Sequence, residues 1–202
     1  LRVENYAQRI LKRENRTISH NETIILRLAC ILHDIGRIHK REQHALLGRD
    51  IVYNWLKNTD IFDGDAIKLL LYLIEKHSDK KDGAKDYLLQ VIRDADLLDE
   101  IGVISVFMCA NRIDNTNPYF FNMLRERISD VELAFCDETL GMLNTEGARS
   151  ILAEKKQFLS LFVCQLSDEL SGTEMFSDFN ITETIRNIGD VCDDNVRKNN
   201  LG

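Results

Sequence analysis

Apolar side chains recur along this chain at three- and four-residue steps, with charged residues filling the positions between. Leu1, Val3, Tyr6, Ala7, Ile10 and Leu11 set the pattern over residues 1–14 and predict a first amphipathic helix. A polar loop over 14–20 follows, and Asn21 can cap a second helix over 22–34. Ile24, Ile25, Leu28, Ala29, Ile31 and Leu32 wrap most of that helix, which predicts a central position in the core. A third helix is expected over 42–57, with Leu46, Leu47, Ile51, Val52, Trp55 and Leu56 as its inner face. Gly48 inside it costs about 1 kcal/mol against Ala, so close packing against a neighbour is expected there.

Residues 60–65 read as a capping turn, 66–77 as a fourth helix ending at His77, and 78–83 as a charged loop. Residues 84–112 are helical with a break at Gly102, and Asn117-Pro118 restarts the chain, because Asn caps and Pro suits a first helical turn. One or two shorter helices cover 119–143. Thr145 then caps a long helix to residue 170, with Phe158, Phe162, Leu166 and Leu170 in one stripe that serves core or dimer packing. The polar stretch 171–202 is an extension with a short helix near 182–188 and a frayed end. No segment keeps the two-residue alternation of a strand, so the fold class is all-α.

Composition narrows the function. The chain has 202 residues, 44% hydrophobic and 29% charged, enough for one core of ordinary size. A net charge of −7 argues against non-specific nucleic-acid binding. No apolar run reaches the roughly 20 residues of a membrane span, and no signal peptide is evident. Five cysteines without a CxxC pair read as free thiols in a reducing compartment, which points to the cytoplasm.

The chemistry concentrates in a few places. His33 and Asp34 stand side by side at the end of the second helix, and imidazole and carboxylate are both metal ligands. His44 and His77 also sit on or at the ends of apolar helices, whereas His20 and His39 lie in polar surroundings. Asp94 and Asp96 are about 200° apart on a helix, so only one of them can face a shared site, and spacing does not say which. Arg37, Lys40 and Arg41 follow the His-Asp pair and can either neutralise phosphate or form a solvated helix start. Gly36 reads as the residue that ends the helix.

Four segments, Leu32-His33-Asp34-Ile35-Gly36, His44-Ala45-Leu46-Leu47-Gly48, Lys76-His77-Ser78 and Asp94-Ala95-Asp96-Leu97-Leu98-Asp99, resemble the HD-domain metal-dependent phosphohydrolases. The likeness is closest to the small stand-alone members, whose late helix reads like Leu143-Asn144-Thr145-Glu146-Gly147-Ala148-Arg149 and continues through Phe158. It covers residues 1–170 and implies an all-α HD-domain helical bundle with a long C-terminal helix, followed by the 171–202 extension.

The resemblance implies His33, Asp34 and Asp96 as metal ligands, with Asp94 behind them and His44 and His77 as holders of a second metal or contacts to phosphate. Its first ligand, a His two residues before an Arg-Val pair, falls just ahead of Leu1, since Arg2-Val3 open this chain. Relatives carry an Arg near Met108; here the nearest is Arg112. The expected catalytic residues are Asp34, His77 and Arg37, and the expected substrate contacts Arg37, Lys40, His44 and Arg112. The nitrogen-oxygen donor set suits Mn, Fe, Co, Ni or Mg. The expected substrate is a small nucleotide or related phosphate ester, and a homodimer through the 145–170 helix is one further expectation. Competing readings are a non-catalytic nucleotide-sensing module, an HD-type di-iron oxygenase and a plain helical interaction protein.

Overall fold

The structure, a computed structural model, describes residues 1–79 and 84–171. These form helices joined by short turns, with no strand among them. None of the described helices is long and apolar enough to cross a membrane. Residues 172–202 of the extension, Cys192 among them, lie outside the described residues, as does most of the 78–83 loop.

Helix α1 (Arg2–Glu14) packs along α5 (Tyr87–Asp99), and α2 (His20–Leu32) packs on α4 (Gly64–Lys76). Helix α3 (His44–Leu56) closes the other side of α4. Ile10, Leu26, Leu56, Leu73, Ile92 and Leu98 are fully buried between them. Burying such side chains contributes roughly 1.5–3 kcal/mol each and drives the assembly. Past Gly102 the chain continues as α6 (Val103–Ala110), α7 (Phe120–Arg127), a π-helical turn (Ile128–Glu132), α8 (Leu133–Met142) and the long α9 (Glu146–Ser171).

Several expected devices are present. Asp63 caps α4 through the amides of Asp65 and Ala66, Asn117 accepts from the Tyr119 amide ahead of α7, and Thr145 accepts from the Ala148 amide at the start of α9. Gly102 takes φ 95° at the expected break, a conformation that an L side chain rarely adopts. Cys30, Cys109 and Cys136 are buried free thiols, while Cys164 is exposed.

Three expectations are corrected. The cap of α2 is Ser19, not Asn21: Ser19 and Glu22 exchange bonds in a capping box, with Glu22 N to Ser19 Oγ at 3.2 Å and Ser19 N to Glu22 Oε2 at 2.8 Å. The inner face of α3 is Ala45, Gly48, Val52 and Leu56, while Leu46 and Trp55 are exposed. Small residues win because α3 must lie close to the turn before it. Nor does Gly36 end α2. It sits inside a 3-10 turn (Ile35–Ile38), where a Cβ would fall 2.0 Å from the His44 carbonyl oxygen and 2.8 Å from the Gly48 nitrogen.

At Gly48, by contrast, a Cβ would meet nothing nearer than 3.4 Å. Gly36→Ala should therefore cost about 3 kcal/mol or more and displace His44, whereas Gly48→Ala should be tolerated or mildly stabilising. Paired thermal melts check this, and equal effects of the two substitutions would contradict it.

Candidate metal centre

Three histidines are delivered by three helix termini. His33 is the residue that closes α2, His77 closes α4, and His44 opens α3. Each turns its Nδ1 to a carbonyl three residues back: Cys30 O at 2.9 Å, Ile74 O at 2.7 Å and Arg41 O at 3.0 Å. A carbonyl only accepts, so each Nδ1 carries a proton. Each Nε2 is thus turned to the interior, where a neutral ring presents a lone pair.

Those lone pairs converge. His44 Nε2 and His77 Nε2 are 3.3 Å apart, and the His77 ring stands edge-on to His33 with centroids 4.9 Å apart. His33 Nε2 lies 3.4 Å from Asp96 Oδ1 and 3.6 Å from Asp34 Oδ2. Asp34 Oδ1 lies 3.2 Å from His44 Nε2 and 3.7 Å from His77 Nε2. Two donor sets result, His33/His77/Asp96 and Asp34/His44/His77, each with ligand atoms within 4.8 Å of one another and with His77 common to both.

Such a cluster of acceptors demands positive charge. Asp34 Oδ1 is covered by protein and accepts no aligned hydrogen bond, although Arg37 Nε approaches it to 2.8 Å. Burial works against a charged His33, yet the Asp96 and Asp34 carboxylates outweigh it and hold that imidazole above its usual range. Burial also opposes ionised Asp34, but the facing His77, His33 and Arg37 keep its carboxyl below the usual range. A divalent cation meets this demand more fully than a proton does, and nitrogen and oxygen donors at these separations fit one.

The centre forms the floor of a cavity of about 520 Å³. His33, Asp34, Asp96 and Arg37 face it, while His44 and His77 stand behind and do not line it. Arg93 Nε donates to the Lys76 carbonyl at 3.1 Å, a cation at the α4 C-terminus that steadies the position of His77. Leu1, Arg2 and Val3 also line the cavity.

The remaining sequence candidates separate. Lys40 and Arg112 are exposed and line no part of this cavity; Met108 does line it. His20 and His39 are exposed and outside the cluster. Asp94 is not behind the metal ligands. Its carboxylate points the other way and accepts from the Asn144 amide (2.9 and 3.1 Å), Asn144 Nδ2 (2.8 Å), the Thr145 amide (2.8 Å) and Thr145 Oγ1 (2.7 Å). The 200° separation thus assigns Asp96 to the cluster and Asp94 to the start of α9.

Sequence reasoning did not single out the acidic far wall, Asp99 and Glu100. Their spacing of three and four residues from Asp96 places all three on one face, which was the available signal.

The HD domain family model matches residues 1–101, and the chain belongs to that family. No curated protein matches the sequence. Among solved structures, an HD-superfamily hydrolase from Bacillus thuringiensis aligns at TM-score 0.60 and 20% identity, over 84% of this chain and 83% of that one. YpgQ from Bacillus subtilis, solved in complex with ADP, aligns at TM-score 0.55 and 22% identity over 86% and 88%. The Lin1889 protein from Listeria innocua aligns at 0.54 and 23% identity, over 84% of each chain. The likeness is one of fold and runs well past the family segment, into α9.

Asp94→Ala should strip the Asn144 and Thr145 donors of their acceptor, at a cost of about 3 kcal/mol or more. The metal bound per folded chain should not change. Thermal melts with metal analysis of the folded fraction separate the two effects, and lost metal at unchanged stability would refute the assignment.

Proposed function

We propose that this chain is a divalent-metal-dependent phosphohydrolase acting on a small phosphate ester. The observation that carries the reading is the meeting of three imidazole Nε2 atoms with two carboxylates at an open cavity. A divalent ion in such a set supplies Lewis acidity toward a phosphoryl oxygen and toward a water molecule.

The protein's own residues do the rest. His33, Asp34 and Asp96 hold the ion from the cavity side, with His77 and His44 behind. Asp34, which faces both the cavity and the imidazoles, also accepts a proton from the attacking water and aligns it. Arg37 sits at the cavity edge against Asp34 and neutralises charge on the bound phosphate.

His77, only 1% exposed and not among the residues lining the cavity, serves in this reading as a ligand. Each His77 ring offers one lone pair, because its other nitrogen is spent on Ile74 O. One ion can therefore use His77 fully, and a second would have to share Asp34 and rely on His44.

His33→Ala and Asp34→Ala should each reduce bound metal by about tenfold or more and abolish metal-dependent phosphate release. Metal analysis alongside a phosphate-ester panel with each divalent ion tests this. Unchanged metal content in both variants would end the hydrolase reading. Iron-dependent oxygen consumption would move the assignment to an oxygenase.

A further inference from the structure

The cavity walls carry a charge pattern that the donor set does not explain. Two lining side chains are cationic, Arg2 and Arg37, against four carboxylates, Asp34, Asp96, Asp99 and Glu100. Both cations are already engaged. Arg2 grips Asp99 through two bonds of 2.8 and 2.9 Å, and Arg37 lies against Asp34. The lining is thus two charges negative by itself, and one divalent ion brings it only to neutrality. The lining also has an apolar part, Ile31 of α2 and Ile104 and Met108 of α6, with Ile31 and Met108 47% and 45% exposed.

Resting on the hydrolase reading above, we propose that the cavity selects esters with a single phosphate group on an apolar body, and that Glu100 turns polyphosphates away. One phosphate can sit at the ion beside Arg37. Each further phosphate adds negative charge and must lie along the wall toward the mouth. There Asp99 is neutralised by Arg2, while Glu100 keeps its charge exposed at the end of α5. Like charges held in a cleft repel more strongly than they do in open water. The apolar body gains by covering Ile31, Ile104 and Met108. Of these residues Ile104 and Met108 lie beyond the family segment 1–101, whereas Ile31 and Glu100 lie inside it.

The test uses the full chain loaded with a divalent ion, and calorimetry of non-hydrolysable phosphonate isosteres of AMP and ADP. The AMP isostere should bind about tenfold tighter. Glu100→Lys should shrink that gap by about tenfold, mainly by improving the ADP isostere, and Glu100→Gln should fall between. Phosphate release should be faster from a phosphomonoester than from ADP or ATP, and faster release from ADP or ATP also overturns the proposal. An ADP isostere that binds as well as the AMP isostere, or a gap unmoved by Glu100→Lys, overturns the proposal while leaving the hydrolase reading intact. If neither isostere binds and no ester is cleaved with any divalent ion, both readings fall together.

Discussion

Two lone pairs that face each other at 3.3 Å, His44 Nε2 and His77 Nε2, are the constraint around which this fold is arranged. With each Nδ1 donating to a backbone carbonyl, the Nε2 of a neutral ring can only accept, so two neutral rings would face each other as acceptors. With Asp34 and Asp96 alongside, the interior of the bundle holds a concentration of electron pairs that hydrophobic packing alone would never assemble. Core histidines ordinarily find a donor. These find one another, and the unmet need for positive charge is the property that separates a binding centre from a satisfied polar core.

Holding acceptors together against their repulsion takes rigid support, and helix termini provide it. The i−3 carbonyls that fix His33, His44 and His77 are the last or unpaired carbonyls of their own turns, so one bond both satisfies the backbone and orients the ring. Gly36 lets the 3-10 turn press against α3 so that His44 reaches the centre. Arg93 closes the end of α4 under His77. The buried apolar faces of α2 and α4 anchor these ends from behind, and the metal site inherits their stiffness.

The helical period made most of the architecture legible, because each element is amphipathic over two or more turns. Local choices were harder. Asn21 and Ser19 are both good caps, and only the reciprocal bond with Glu22 decides for Ser19. The α3 face was misjudged because Leu46 and Trp55 outweigh Ala45 and Gly48 in any hydrophobic count, yet close approach to the Gly36 turn requires the small pair inside. The ligand candidates His33 and Asp34 could be read from adjacency. Spacing could not separate Asp94 from Asp96, since it says that they diverge without saying which way, and only the family resemblance favoured Asp96. The physical reason lies in the Asn144-Thr145 junction, fifty residues further on, which takes Asp94.

That junction shows how the two halves of the chain depend on each other. Asp94 and Asp96 share one turn of α5, one fastened to the start of α9 and the other turned to the metal centre. A shift of α9 would therefore be felt at Asp96 through a single helical turn. Lys155 of α9 makes a second tie, donating to Tyr6 Oη and to the Ile101 carbonyl, both at 2.6 Å. Ile101 is the residue after Glu100 and immediately precedes Gly102 with its positive φ, so α9 also fixes the corner from which α6 departs. The long helix donates nothing to the metal. By holding Asp94 and Ile101 it sets the angle between the donor floor, supplied by residues 33–96, and the wall that faces it. The donor floor and the α6 side of the cavity thus come from neighbouring segments that meet at the end of α5.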